Sequence, residues 1–207
     1  MGEAMSHLVT TDAELDAIYG QPSGGAVIKE IGYISDHYRM FIELAPFVVV
    51  ATAGQEGLDC TPRGDPPGFV RVVDKSTVML PDRRGNNRID TLRNLMRDPH
   101  IALLFMIPGV TRTLRLNGRA VISVDPELCA SFSMEGKAPR SVIVVTAERV
   151  YTQCAKALVR SKLWDASRHV DESRLPSSGT MLKALQPEFD AATYDRDYPQ
   201  RLKETIY

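Results

Sequence analysis

The stretch Leu80–Phe105, "LPDRRGNNRIDTLRNLMRDPHIALLF", decides the fold. It opens at the end of an apolar run, "TVMLP" (77–81). A loop follows that holds Arg83, Arg84, Gly85, Asn86, Asn87 and Arg88. Ile89, Leu92 and Met96 then fall on one face at helical spacing, and "HIALLFMI" (100–107) reads as a buried strand. Asn87 reads as the N-cap of that helix, with Asp90 three positions on in a capping-box-like arrangement. The segment is therefore strand, donor-rich loop, short helix, strand.

On either side, strand follows strand with little helix between. Upstream come "FVVVATA" (47–53), "LDCTPR" (58–63) and "FVRVVD" (69–74). The loop "GDPPG" (64–68) is stiff, because each proline fixes φ and supplies no N–H. Downstream, "TLRLNGRAVISV" (113–124) reads as two strand pieces around Asn117-Gly118, a strong turn signal. "SVIVVTAERVYTQ" (141–153) is a long valine-rich strand. Helices are expected mainly outside this block: Asp12–Tyr19, a segment capped by Ser35, Pro126–Met134 with Asp125 as cap and Pro126 at its first position, 155–167, and 180–185. Runs of strands with helices before and after them predict a mainly β (α+β) antiparallel barrel and exclude a βαβ repeat.

The chain has 207 residues, 43% hydrophobic and 25% charged, with a formal net charge of -1. That supplies one domain with extensions and disfavours a strongly basic nucleic-acid binder. No apolar run approaches the ~20 residues that span a bilayer. The first twenty residues carry acids where a leader would carry cations. Three dispersed cysteines and the lack of any CxxC fit a reducing compartment, so the expected location is cytoplasmic. Four scattered histidines form no metal-ligand pattern, and no metal is expected.

The loop's chemistry carries the functional reading. A helix N-terminus offers free N–H groups and partial positive charge. Arg83, Arg84, Arg88 and the amides of Asn86 and Asn87 add donors, and Gly85 permits close backbone approach. This set suits a phosphate dianion, whose oxygens match guanidinium forks. Arg83 and Arg88 are the first choices for phosphate; Arg84 is equally a solvated surface cation. Three further groups are candidates. Arg63 ends one strand and Asp65 lies two residues on. Arg112 and Arg115 sit three apart on a strand and face opposite ways. Lys156 and Arg160 share a helix face that Trp164 continues. A solvated-surface reading competes for each cation. RNA binding through "RRGNNR" is disfavoured by the net charge and by the lack of interleaved aromatics.

The segments "PRGDPPGFV", "LPDRRGNNRIDTLRNLMRDPHIALLFMIPG", "TLRLNGRA" and "CAKALVRSKLW", in this order, resemble the pyridoxamine 5′-phosphate oxidase-like, FMN-binding split-barrel family, and within it a bacterial branch with PRGD and RRGN segments. The resemblance covers about residues 30–165. It implies a six-stranded Greek-key split barrel over 35–165, flanked by an N-terminal extension (1–34) and a partly helical C-terminal extension (166–207). It implies a homodimer with two FMN sites at the subunit interface. Carried over residue by residue, it implies cofactor contacts from Arg63, Gly64, Asp65, Asp82, Arg83, Asn86, Asn87 and Arg88. Arg112 or Arg115, with Lys156, Arg160 and Trp164, would come from the partner chain. The family's "RxVLLK" strand is missing, and "PRGDPPGF" stands in its place. The implication is thus an FMN-binding scaffold rather than pyridoxamine phosphate oxidation itself. No acid/base residue stands out, so no catalytic residue is assigned. The leading expectation is an FMN-dependent oxidoreductase acting on a small organic substrate or NAD(P)H. The alternatives are a non-catalytic flavin carrier or sensor, and a relative that binds haem or a deazaflavin.

Overall fold

The computed structural model describes residues 7–22, 24–55 and 57–207. Part of the N-terminal reading falls on residues 1–6 and so lies outside them. Three helices come first: α1 (Asp12–Tyr19), α2 (Gly25–Ile28) and α3 (Asp36–Leu44). The Thr11 hydroxyl and the Glu14 carboxylate form a complete capping box on α1. Ser35 caps α3 as expected, its hydroxyl accepting from the Tyr38 N–H at 3.3 Å. The barrel strands are β1 (Phe47–Gly54), β2 (Gly57–Gly64), β3 (Arg71–Val72), β4 (Thr77–Pro81), β5 (His100–Met106), β6 (Thr113–Ser123) and β7 (Val142–Gln153). Between them lie α4 (Asp90–Leu95) and α5 (Pro126–Ser131). After them come α6 (Lys156–Ser161), α7 (Ser178–Leu185) and α8 (Ala191–Thr205).

All strands join one antiparallel sheet in the order β2-β1-β5-β6-β7-β4-β3. The architecture is mainly β with flanking helices, as expected, but with seven strands rather than six. The seventh is the two-residue β3, all that survives of the run at 69–74. The hydrogen-bond ladder is not closed, since β2 and β3 are edges. The sheet nevertheless curls on itself. Laid flat, β2 and β4 would stand about 24 Å apart, yet Arg63 at the end of β2 and Asp82 after β4 are in contact at 2.5 Å.

Curling places one face of each strand inside. β1 alternates strictly in burial, and Val48 and Val50 are fully enclosed. Leu103, Phe105, Leu114, Leu116, Val78 and Leu80 meet them in one cluster, which Ile42 of α3 and Leu95 of α4 cap. Each such side chain contributes about 1.5–3 kcal/mol by leaving water.

Two expectations about local structure fail for physical reasons. Asn117-Gly118 makes no turn. β6 runs unbroken from Thr113 to Ser123, with a register shift between these two residues against β7. Gly118 is needed there because any Cβ would collide with the Thr146 carbonyl. Asn87 is not the helix cap. It lies at φ 61°, Ile89 follows at φ 54°, and α4 begins at Asp90 without a side-chain cap. One long helix, α8, was not expected. Pro199 inside it reads as a break, and its residues are too polar to show a face. No helix among the described residues is long and apolar enough to cross a membrane.

Candidate functional site

The site begins where β2 and β4 end. Asp65 donates its N–H to the Pro46 carbonyl at 3.1 Å, and Asp82 donates to the Ser141 carbonyl at 2.9 Å. These bonds extend the pairing of β2 with β1 and of β4 with β7 by one residue past each strand end. Two ion pairs then cross the gap between them. Arg63 Nη1 meets Asp82 Oδ1 at 2.5 Å, and Arg83 Nε meets Asp65 Oδ2 at 2.6 Å. The Asp65 side chain is only 3% exposed. Its charge is held by Arg83 and by the Tyr207 hydroxyl, which donates to Oδ1 at 2.8 Å. Arg83 also donates through Nη1 to the Phe132 carbonyl at 2.7 Å. The Arg63 Nε–H is buried and finds no acceptor among the described residues.

Beyond these pairs opens a cleft of about 490 Å³. Its walls are the loop 82–89, the strand entry 137–141, Leu92 and Tyr207. Arg63, Arg83, Arg84, Lys137 and Arg140 line it against a single carboxylate, Asp82. Arg84 makes no ion pair among the described residues. Arg140 donates to Asn87 Oδ1 at a long 3.4 Å. Lys137 is delivered by a tight turn: Met134 and Lys137 exchange backbone bonds of 3.0 and 2.9 Å around Glu135 and Gly136, whose φ values of 49° and 76° are both positive. A second cleft, about 540 Å³, lies on the other side of the Arg83–Asn86 loop and is lined by Gly64, Asp65 and Ile206 among others.

The loop itself is strained. A β-branched residue such as Ile89 in left-handed backbone costs on the order of 1–3 kcal/mol. The surroundings hold it there. The Asn86 carboxamide accepts the Arg88 N–H at 3.1 Å. Thr91 donates to Asp59 at 2.6 Å, and the Asn94 amide donates to Thr52 at 3.2 Å. Asn94 fills the space that a side chain on Gly54 would need, so α4 sits directly on β1.

Of the residues expected from the sequence, Arg63, Asp82, Arg83, Asn86 and Asn87 meet in the first cleft, and Gly64 and Asp65 line the second. Arg88 does not join them. It is 73% exposed and turns outward to Asp90 at 2.7 Å, because the left-handed backbone at 87 and 89 rotates it away. Arg84 takes the inward place. Arg112, Arg115, Lys156, Arg160 and Trp164 gather elsewhere. Arg115 lies over the Tyr151 ring at 5.3 Å, and the Trp164 indole donates to the Val110 carbonyl at 2.9 Å. Thr113 pairs with Gln153 at that end of β6 and β7, whereas Ser123 pairs with Val142 beside the cleft. The two groups are therefore separated by about 30 Å of strand within one chain. Lys137 and Arg140 were missed. The loop "EGKAPR" did hold two cations around a proline just before a strand, but nothing in it marked which way they face.

The curled antiparallel sheet defines a split-barrel protein with a cationic cleft at its seam. The sequence profile of the family described as Pyridoxamine 5'-phosphate oxidase matches residues 34–154, more than half of the chain, and the chain belongs to that family. Among solved structures, HupZ of Group A Streptococcus aligns over 58% of this chain and 99% of its own, at 20% identity and a TM-score of 0.46. General Stress Protein 26 of Bacillus anthracis aligns over 55% and 88%, at 13% identity and a TM-score of 0.43. An FMN-binding protein of Syntrophomonas wolfei aligns over 56% and 83%, at 11% identity and a TM-score of 0.44. No curated protein matches the chain.

Proposed function

We propose that the chain is a cytoplasmic FMN-binding flavoprotein and an oxidoreductase of a small organic substrate or NAD(P)H. The observation that carries this reading is the charge of the first cleft: of its five cations Arg63 and Arg83 are paired with Asp82 and Asp65, while Arg84, Lys137 and Arg140 have no acidic side-chain partner among the described residues. A surplus of guanidinium and ammonium groups in a concave site calls for a dianion. Arg84 and Arg140 would hold the phosphate, with the Asn86 and Asn87 amides as further donors. The buried, unpaired Arg63 Nε–H offers one more. Ile89 and Leu92 give the cleft an apolar wall.

Bound flavin supplies hydride chemistry of its own. The protein's part is to bind, orient and set the electrostatics. Arg63 and Arg83 are held rigid by their carboxylates, so donors aimed at developing negative charge need no reorganisation. Two copies sharing the site, as the family resemblance implies, would bring Arg112 or Arg115 and the α6 cations of one chain toward the cleft of the other.

Incubation of the purified protein with FMN, followed by gel filtration and an absorbance spectrum, tests the reading. Co-elution of flavin is expected, and its loss in the Arg84→Met/Arg140→Met variant. Protein that emerges colourless from saturating FMN overturns it. One observation favours a carrier or sensor instead: the first cleft is lined by no histidine, and its only carboxylate is engaged. Reduction by NAD(P)H followed by oxidation by an added acceptor, over many cycles, excludes that second reading.

A further inference from the structure

The C-terminal segment lies outside the part of the chain that matches the family, yet it reaches into the site. Tyr207 lines both clefts. Three side-chain hydrogen bonds tie α8 and its continuation to the barrel among the described residues. The Tyr207 hydroxyl donates to Asp65 at 2.8 Å, and Lys137 Nζ donates to the main-chain oxygens of Tyr207 at 3.0 Å and Glu204 at 3.5 Å. The Tyr207 ring lies 5.5 Å from the Arg83 guanidinium, covering one of the cleft's cations. The helix otherwise packs on α7, where Asp195 accepts from Ser177 at 2.5 Å and from the Gly179 N–H at 2.8 Å. A helical hairpin that packs on itself and touches the barrel through a few polar bonds can detach locally without unfolding the core.

We propose that residues 204–207 form a strap that the chain lays across its own cleft, and that a phosphate-bearing ligand displaces it by taking Lys137. This rests on the reading of the cleft as a phosphate site. Lys137 spends its ammonium on two main-chain oxygens, those of Tyr207 at 3.0 Å and Glu204 at 3.5 Å. A phosphate dianion brings two negative charges and several acceptor oxygens to the same protons. Strap and ligand thus compete for one cation and for the space beside Arg83. By linkage, whatever weakens the strap strengthens the ligand.

The test compares wild type with Tyr207→Ala and with Tyr207→Phe, which loses only the bond to Asp65. FMN affinity is read by fluorescence titration, and strap docking by hydrogen exchange of residues 200–207. Tyr207→Ala is expected to bind FMN about fivefold tighter or more, the lower end of ordinary coupling between sites. Tyr207→Phe should fall between, and FMN should speed exchange at 200–207 in wild type. Equal or weaker binding by both variants, or slower exchange with FMN, overturns the strap. If Tyr207→Ala does not fold, Tyr207→Phe and the wild-type exchange decide. If no form binds FMN, the flavin reading falls on its own, and inorganic pyrophosphate replaces FMN as the exchange probe. Faster exchange then supports the strap, and unchanged exchange overturns it.

Discussion

Arg63 and Asp82 stand nineteen positions apart in sequence and 2.5 Å apart across the seam of the barrel. Beside them Arg83 and Asp65 repeat the contact with the charges exchanged between strand ends. The two pairs close the gap that the hydrogen-bond ladder leaves open. They also fix Arg63 and Arg83 in the wall of the first cleft, so the seam and the cleft share side chains.

Asp82→Asn should destabilise the fold by about 1–3 kcal/mol, below the 3–5 kcal/mol of a fully buried pair, because both partners keep some exposure. Urea unfolding with an unchanged denaturant slope checks this. Arg63→Met should cost a similar amount. The double variant should cost less than the two single changes together, because each single change strands a charge. Simple additivity would show that the contact carries no energy.

The cleft geometry separates arginines that look alike in sequence. Arg84→Met and Arg140→Met should each weaken FMN binding by roughly tenfold or more, the worth of a charge-assisted hydrogen bond. Arg88→Ala should leave it within about twofold, since an exposed ion pair contributes little. Isothermal titration of the three variants decides. A large loss at Arg88 with none at Arg84 would show that the loop binds in another conformation.

That contrast shows what was legible in the sequence. Strand identity was, because short apolar, β-branched runs such as "FVVVATA" and the valine run after Ser141 suit a pleated, buried surface. Caps at Ser35 and Asp125 were, because a side chain bonding its own neighbours is a local event. The direction in which Arg84 and Arg88 point was not. It depends on the left-handed backbone at Asn87 and Ile89, which α4 and its polar anchors on β1 and β2 impose from outside the loop. Lys137 was illegible for the same reason: it meets Tyr207 across 70 positions. Asn117-Gly118 misled because the turn signal and the bulge signal use the same residue type, and only the neighbouring strand distinguishes them.

Gly118 offers a test independent of the cofactor. Its missing side chain lets the Thr146 carbonyl of β7 approach β6 directly. Backbone cannot swing aside as a flexible side chain can. Gly118→Ala should therefore cost about 1–3 kcal/mol, as overpacking does. Thermal unfolding should shift down, with a control at Gly85, where nothing lies near and φ is not left-handed, moving little. Equal effects at the two positions would remove the bulge from the account.

Tyr207 gives a pH signature to the strap. The hydrogen bond it donates to Asp65, followed by its partial burial and by the Asp65 charge, raises its phenol above the ordinary value. A raised value in the docked state means that docking favours the protonated phenol. The contribution is present in full below the free phenol's value of about 10 and is lost as pH climbs through the docked value. Ultraviolet difference titration of wild type against Tyr207→Phe isolates this one ring. Its phenolate should appear above the ordinary phenol value of about 10, and Asp65→Asn should bring it back down. The protection of residues 200–207, taken relative to the intrinsic base-catalysed exchange rate, should fall over the same interval. A Tyr207 that ionises together with exposed tyrosines would mean that Asp65 does not hold it in solution.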